Sequence, residues 1–137
     1  MKKAILVLVI LSCGLIQAQG LKLDVTVSGF ENSNGKVKIG LYNSESDFLK
    51  TPYKSLSAAI HSNVATATFT DLPKGEYAIS LYHDENGNGL LDKNVFGIPS
   101  EDYAASNNAK GSMGPPKYAD AKFTINTTSK INIILNN

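Results

Sequence analysis

From Leu21 onward, hydrophobic residues fall on every second position. Leu21, Leu23, Val25 and Val27 alternate with Lys22, Asp24, Thr26 and Ser28, the pattern of a strand with one face buried and the other in water. Residues 31–36 form a turn cluster of Asn, Ser and Gly. Val37, Ile39 and Leu41 then alternate again, so the first two runs read as a β-hairpin. Further alternating runs cover residues 53–62, 64–70, 75–83, 121–126 and 130–135. Residues 44–49, with Ser44 as cap and Asp47 three positions on, predict one helical turn that Pro52 ends. No window carries a helical period of useful length. About seven short strands separated by turn signals predict an all-β chain, a single antiparallel β-sandwich, with a small barrel as the alternative.

Two stretches break the period. Residues 84–92 are packed with Asn and Gly. Residues 99–120 run for some twenty positions with little alternation. A segment that long in a compact domain is either functional or disordered. Tyr103, Met113, Pro115, Pro116 and Tyr118 within it predict a long loop ordered against the body.

The amino terminus follows another pattern. Lys2 and Lys3 precede an apolar run over residues 4–16, and Ala18 follows as a small residue. This is the layout of a secretory signal peptide over residues 1–18. The run is too short to be a comfortable membrane span. Cleavage after Ala18 leaves 119 of the 137 residues, 19–137, as the β-sandwich domain of a periplasmic or secreted protein with no transmembrane span. Residues 10–14 also loosely resemble a lipobox, which would make Cys13 a lipid anchor instead.

Composition sharpens this picture. The chain has 13 basic and 12 acidic residues and a formal charge of +1. Loss of Lys2 and Lys3 takes the charge to −1. There is no basic face for nucleic acid. All the basic residues are Lys, so the bidentate anion recognition that Arg supplies is missing. Cys13 is the one cysteine, which excludes disulfides and thiol chemistry from the body.

The most specific local signal starts at His83. Counting from Asp84, oxygen-bearing side chains fall at positions 1, 3, 5 and 9 (Asp84, Asn86, Asn88, Asp92), with Gly89 at 6. These are the first nine positions of an EF-hand type calcium loop, in which Leu90 offers its backbone carbonyl at position 7. The candidate metal ligands are therefore Asp84, Asn86, Asn88, Leu90 and Asp92, and the candidate cofactor is a structural calcium ion. Position 12 is Val95 where an EF-hand has a bidentate Glu, and the flanking helices are missing. Glu101 or Asp102 would have to fold back to complete the shell. The competing reading is a hairpin loop whose Asn and Asp side chains cap their own backbone.

Several segments occur here in one order: residues 70–84 with Leu72-Pro73-Lys74-Gly75-Glu76-Tyr77, the 85–92 loop, Gly97-Ile98-Pro99-Ser100-Glu101, Ser106-Asn107-Asn108 and Gly114-Pro115-Pro116. Together they resemble the bacterial family called domain of unknown function 2141, over nearly all of the chain after the amino terminus. The resemblance implies an exported protein with no established activity. The Leu-Pro-x-Gly-x-Tyr segment is also similar to prealbumin-like and adhesin B-type sandwich domains. That similarity implies an Ig-like or prealbumin-like sandwich, in which Pro and Gly turn the chain into a strand and Tyr packs inward.

No other cluster builds a stronger case. His83 and Asp84 are neighbours on a strand and point to opposite faces, which suits a packing role for His83 better than catalysis. His61 lies in an ordinary alternating run. Glu101 and Asp102 are adjacent, too close in sequence to span a sugar ring by themselves. Tyr53, Tyr103 and Tyr118 either line a groove or pack the long loop. The expectation is a monomeric binding or structural module, not an enzyme, whose partner is an envelope protein or glycan. The alternative is an envelope enzyme acting on glycans, with residues 99–120 as the active-site wall.

Overall fold

The computed structural model describes residues 19–135. The signal peptide and Cys13 expectations lie outside the described residues. Among the described residues there are eight strands: β1 (Leu21–Ser28), β2 (Lys36–Tyr42), β3 (Lys54–Ala59), β4 (Val64–Leu72), β5 (Gly75–Asp84), β6 (Tyr103–Ala105), β7 (Phe123–Ile125) and β8 (Ser129–Ile134). They form two sheets. One has the order β4-β1-β8. The other has the order β3-β2-β5-β6, with β7 also paired to β5. The described chain is a two-sheet, sandwich-like, nearly all-β domain, as the alternation predicts. No helix among the described residues is long and apolar enough to cross a membrane.

Two expectations about pairing need correction. β1 and β2 do not form a hairpin, because they lie in different sheets. Between them Gly29 takes a left-handed φ of 84° and Phe30 turns into the core, so the chain crosses from one layer to the other. The pairing is also not wholly antiparallel. β8 runs parallel to β1, with Val25 opposite Ile131 and Val27 opposite Ile133. A parallel pair needs a crossover connection and leaves no local turn signal.

The alternation does its work on the inward faces. Leu23, Val25 and Val27 of β1 meet Ile39 and Leu41 of β2, Phe69 of β4, Ile79 and Leu81 of β5 and Ile133 of β8 in one buried cluster. β5 is different, because both of its faces are covered. Tyr77, Ile79 and Leu81 point inward, while Ala78 packs outward into a second cluster with Tyr42, Phe48, Ala105, Tyr118 and Ala121. The aromatic rings there meet edge to face, Tyr42 with Phe48 at 5.2 Å and Phe48 with Tyr118 at 5.6 Å. Phe48 comes from the 44–49 segment, which is a set of turns and not a helix. Ser44 spends its hydroxyl on the Asp47 carboxylate (2.8 Å), so it caps no backbone group.

Of the residues expected to pack the long loop on the body, Tyr118 and Pro116 are buried while Met113, Pro115 and Tyr103 are exposed, and Ser106-Asn107-Asn108 provides the tie. The Ser106 hydroxyl is buried, accepts the Ile79 N–H (2.9 Å) and donates to the Ala121 carbonyl. The Asn107 amide donates to the carbonyls of Asp120 and Lys122. One short segment thus ties β5 to the four-residue helix α1 (Tyr118–Ala121). The Pro-Gly-Tyr segment also behaves as expected: Tyr77 is buried and its hydroxyl donates to the Pro73 carbonyl (2.8 Å).

Two measurements check this packing. Ser106→Ala leaves the buried Ile79 N–H without a partner and is expected to cost about 1–3 kcal/mol in urea denaturation. Burial raises the pKa of the Tyr42, Tyr77 and Tyr118 hydroxyls above the ordinary tyrosine value, with added repulsion from Tyr53 on Tyr77 and from Glu76 on Tyr118. A raised folded-state pKa means that the stabilisation is complete below the unfolded value near pH 10 and is lost as the pH climbs through the folded values. Unfolding free energy should therefore fall steeply above about pH 10, and the fall should be shallower in Tyr42→Phe.

Candidate functional site

β5 delivers Asp84 to the end of the sandwich. The period of two places Asp84 on the same strand face as Tyr82 and opposite to His83. His83 is fully buried against Phe30, with ring centroids 5.1 Å apart. Its Nε2 lies 2.7 Å from the Asn34 carbonyl, which can only accept, so Nε2 carries the proton. Nδ1 has no hydrogen-bond partner and stands 3.7 Å from the Glu85 carboxylate. This is a structural histidine at a strand end.

Of the five residues predicted as ligands, Asn86, Asn88 and Asp92 are joined by side-chain hydrogen bonds, Asp84 reaches the loop through Gly89, and Leu90 takes part through its N–H and not its carbonyl. Asp84 Oδ2 accepts the N–H of Gly89 (2.9 Å), which pulls the loop into a tight turn. Gly89 sits at φ 78°, a conformation glycine adopts at no steric cost. Asn86 Oδ1 accepts the N–H of Asn88 (3.1 Å), and Asn88 Oδ1 accepts the N–H of Leu90 (2.9 Å). These are side-chain turns of the kind Asn favours. They fix which way each amide faces, so the NH2 groups of Asn86 and Asn88 donate to the two oxygens of Asp92 at 2.6 and 2.8 Å.

Glu101 folds back onto this loop. Its Oε1 accepts the N–H of Glu85 (3.1 Å) and its Oε2 accepts the N–H of Asp92 (3.0 Å). One carboxylate thus joins the two feet of the loop through charge-assisted bonds. Asp102 does not join it. The Asp102 backbone carbonyl instead accepts the His83 N–H and continues the β5–β6 pairing. Tyr82, which the sequence reading passed over, completes the arrangement by donating to the Gly89 carbonyl (2.8 Å). Burial raises its pKa, and so do the nearby Asp84 and Glu101 carboxylates. Its two-residue spacing from Asp84 was the signal that could have found it.

One feature of the loop is costly. Asp84 is 1% exposed, and its Oδ1 has no hydrogen-bond partner. A buried carboxylate oxygen without a donor or cation is energetically expensive. The polar side chains of the loop include the carboxylates of Asp84 and Asp92 and the amides of Asn86 and Asn88. Among the described residues, however, no three His, Cys, Asp or Glu side chains gather closely enough to hold an ion by themselves. Any cation here must draw on amide and carbonyl oxygens as well.

Beyond Asp92 the chain forms a short finger. Ser100 N–H donates to the Asp92 carbonyl, and Asn94 N–H to the Ile98 carbonyl, both at 2.8 Å. At the tip, Asn94 takes three N–H groups: Phe96 and Ile98 on its side-chain oxygen, and Gly97 on its carbonyl. The finger holds its hydrophobic side chains in water, with Val95 94%, Phe96 84% and Ile98 59% exposed. Beside it lies a cleft of about 370 Å³ between residues 99–104 and 109–111. The candidate groove tyrosines are not brought together there. Tyr103 lines the cleft, Tyr118 is buried with Phe48, and Tyr53 sits near Tyr77. A larger groove, about 610 Å³, runs between the edges of β3 and β4 and is lined by Ala, Ser and Thr with Leu56, Val64 and His61.

Fold and site together define a small two-sheet β-sandwich with a self-capped acidic loop and an apolar finger at one end. The chain belongs to the bacterial family described as "Uncharacterized protein conserved in bacteria (DUF2141)", which it matches over residues 25–132. No curated protein and no solved structure matches it, so the similarity to prealbumin-like and adhesin domains finds no counterpart in those comparisons.

Glu101→Ala tests the clasp. Losing both bonds should free the Glu85 and Asp92 amides, with a rise of about ten- to a hundredfold in their hydrogen-exchange rates, since each bond to a charged group contributes about 1.5–3 kcal/mol. Amides in the centre of β5 should be unchanged.

Proposed function

We propose that this protein is an exported, non-enzymatic binding module. The 84–101 loop is the rigid root of its contact surface, and calcium is the structural ion of that root. The observation that carries the reading is the Asp84 carboxylate, buried at the end of β5 with one oxygen in the loop and the other unpartnered. A hard cation would satisfy that oxygen. Asp84 and Asp92 would supply the charge, and Asn86, Asn88 and the Leu90 carbonyl the neutral oxygens of a calcium shell. As arranged, the amides of Asn86 and Asn88 donate to Asp92, so binding an ion requires that ring of bonds to be exchanged for coordination. This favours modest affinity. The non-enzymatic reading is supported by how the titratable groups are used. His83 is locked into the core and Glu101 is spent on two backbone amides.

Thermal melting with calcium and with chelator tests the proposal. Binding to the native state alone stabilises by RT ln(1 + [L]/Kd), about 2.7 kcal/mol at a hundredfold excess over Kd. The melting temperature should rise with millimolar calcium, and Asp84→Asn should abolish the rise. Identical transitions with and without chelator would refute the calcium site.

A further inference from the structure

The finger poses a question that the loop does not answer: what covers its side chains? Val95 and Phe96 stand almost clear of the body, and Ile98 keeps more than half of its surface in water. Hydrophobic groups displayed together in water mark a contact surface. Here the surface is convex, so a protein partner would need a pocket shaped to it, whereas a fluid hydrocarbon phase needs no such match.

The backbone of the tip favours the fluid phase. Of the five N–H groups from Asn94 to Ile98, those of Asn94, Phe96, Gly97 and Ile98 already have partners within the finger. Hydrocarbon offers no water to an unpaired donor, and irregular backbone is normally excluded from it for that reason. A tip that pairs four of its five donors lowers that cost, and the carbonyls of Val95, Phe96 and Gly97, which accept no bond within the finger, keep it in the hydrated interfacial layer and out of the hydrocarbon centre. Lys93 stands at the finger's root, where its ammonium can reach the headgroups while its methylenes stay beside the apolar tip. Below it, Asp92, Glu101 and Asp102 set a limit to insertion.

We infer that residues 94–98 insert into the interfacial layer of a lipid bilayer, about 5–10 Å deep, and attach the protein peripherally to a membrane surface. The inference rests on the reading of the 84–101 loop as a rigid root, and it names what that root presents its finger to. The end of the molecule also sets the lipid preference. Residues 84–102 carry five acidic side chains against one Lys, so anionic headgroups are repelled and zwitterionic ones are preferred. Calcium in the loop reduces that difference.

The chain has no Trp, so Phe96→Trp places a clean fluorescent reporter at the tip. With phosphatidylcholine vesicles, the emission of the full chain should shift to the blue and be quenched by brominated acyl chains. Phosphatidylglycerol vesicles should give a weaker response in chelator than in calcium. In flotation with the same vesicles, the double variant Val95→Ser, Phe96→Ser should bind at least tenfold less than wild type, with an unchanged melting temperature. Residues 1–18 are common to both proteins, so the difference reads the finger alone. An emission that stays at its water-exposed position with every vesicle, together with equal flotation of the two proteins, overturns the inference and assigns the finger to a pocket on a protein. The loop's calcium fails separately: chelator-insensitive melting with vesicle binding intact would remove the ion and keep the membrane contact.

Discussion

The structure depends on a strand that is covered on its inward face and over much of its outward one, with Glu76 exposed and Ser80 and Tyr82 half-buried. β5 is covered inward by the sandwich core and outward by the cluster around Phe48 and Tyr118. A strand buried on both faces must pair its backbone on both edges, because water cannot reach the gaps. β2 supplies one edge along most of its length, and β7 and β6 share the other. That requirement explains the long stretch from 99 to 122. It runs out to form β6, turns at Ser106, packs Tyr118 and returns as β7, so the segment without alternation is the cover that β5 needs.

The same strand fixes the position of the loop. Because β5 is immobilised to its last residue, Asp84 is held in place before any loop residue contributes. Gly35 shows how close the packing is: a Cβ at that position would fall 1.9 Å from the Asp84 carbonyl. From this anchored end, every connection in the loop is a hydrogen bond between neighbours. Asp84 holds Gly89, the two Asn residues hold Asp92, and Glu101 holds both feet. The finger beyond Asp92 is continuous with that anchored loop, although Val95 and Phe96 at its tip are almost wholly exposed.

How much of this was legible in the sequence varies with the range of the interaction. The inward faces of β1, β2, β4, β5 and β8 follow from alternation, because burial on one face imposes a period of two. Sheet membership does not follow. A Gly-containing turn before Val37 reads equally well as a hairpin or as a crossing between layers, and Phe30 decides it only through contacts distant in sequence. The parallel partnership of β1 and β8 and the three-residue strand β6 carry no local pattern at all. At the site, spacing marked Asp84, Asn86, Asn88 and Asp92, whose side chains the structure uses to cap and tie the loop. The fold-back of Glu101 was visible only as an option, and Tyr82 was hidden because an alternating Tyr looks like any other strand residue.

The balance of forces at this end of the molecule separates its two unusual features. The unpartnered oxygen of Asp84 is a buried polar cost, borne by a residue that the rigid strand cannot move away. The exposed Val95 and Phe96 are an apolar cost in water, about 1.5–3 kcal/mol for each side chain left unburied. Packing within the domain could relieve neither, since Asp84 is pinned by β5 and the finger is held away from the body by its own hydrogen bonds. A cation can lower only the first cost, and an apolar phase only the second. The two features are therefore independent in their physical chemistry yet joined mechanically by Asp92, whose carboxylate closes the loop and whose carbonyl begins the finger.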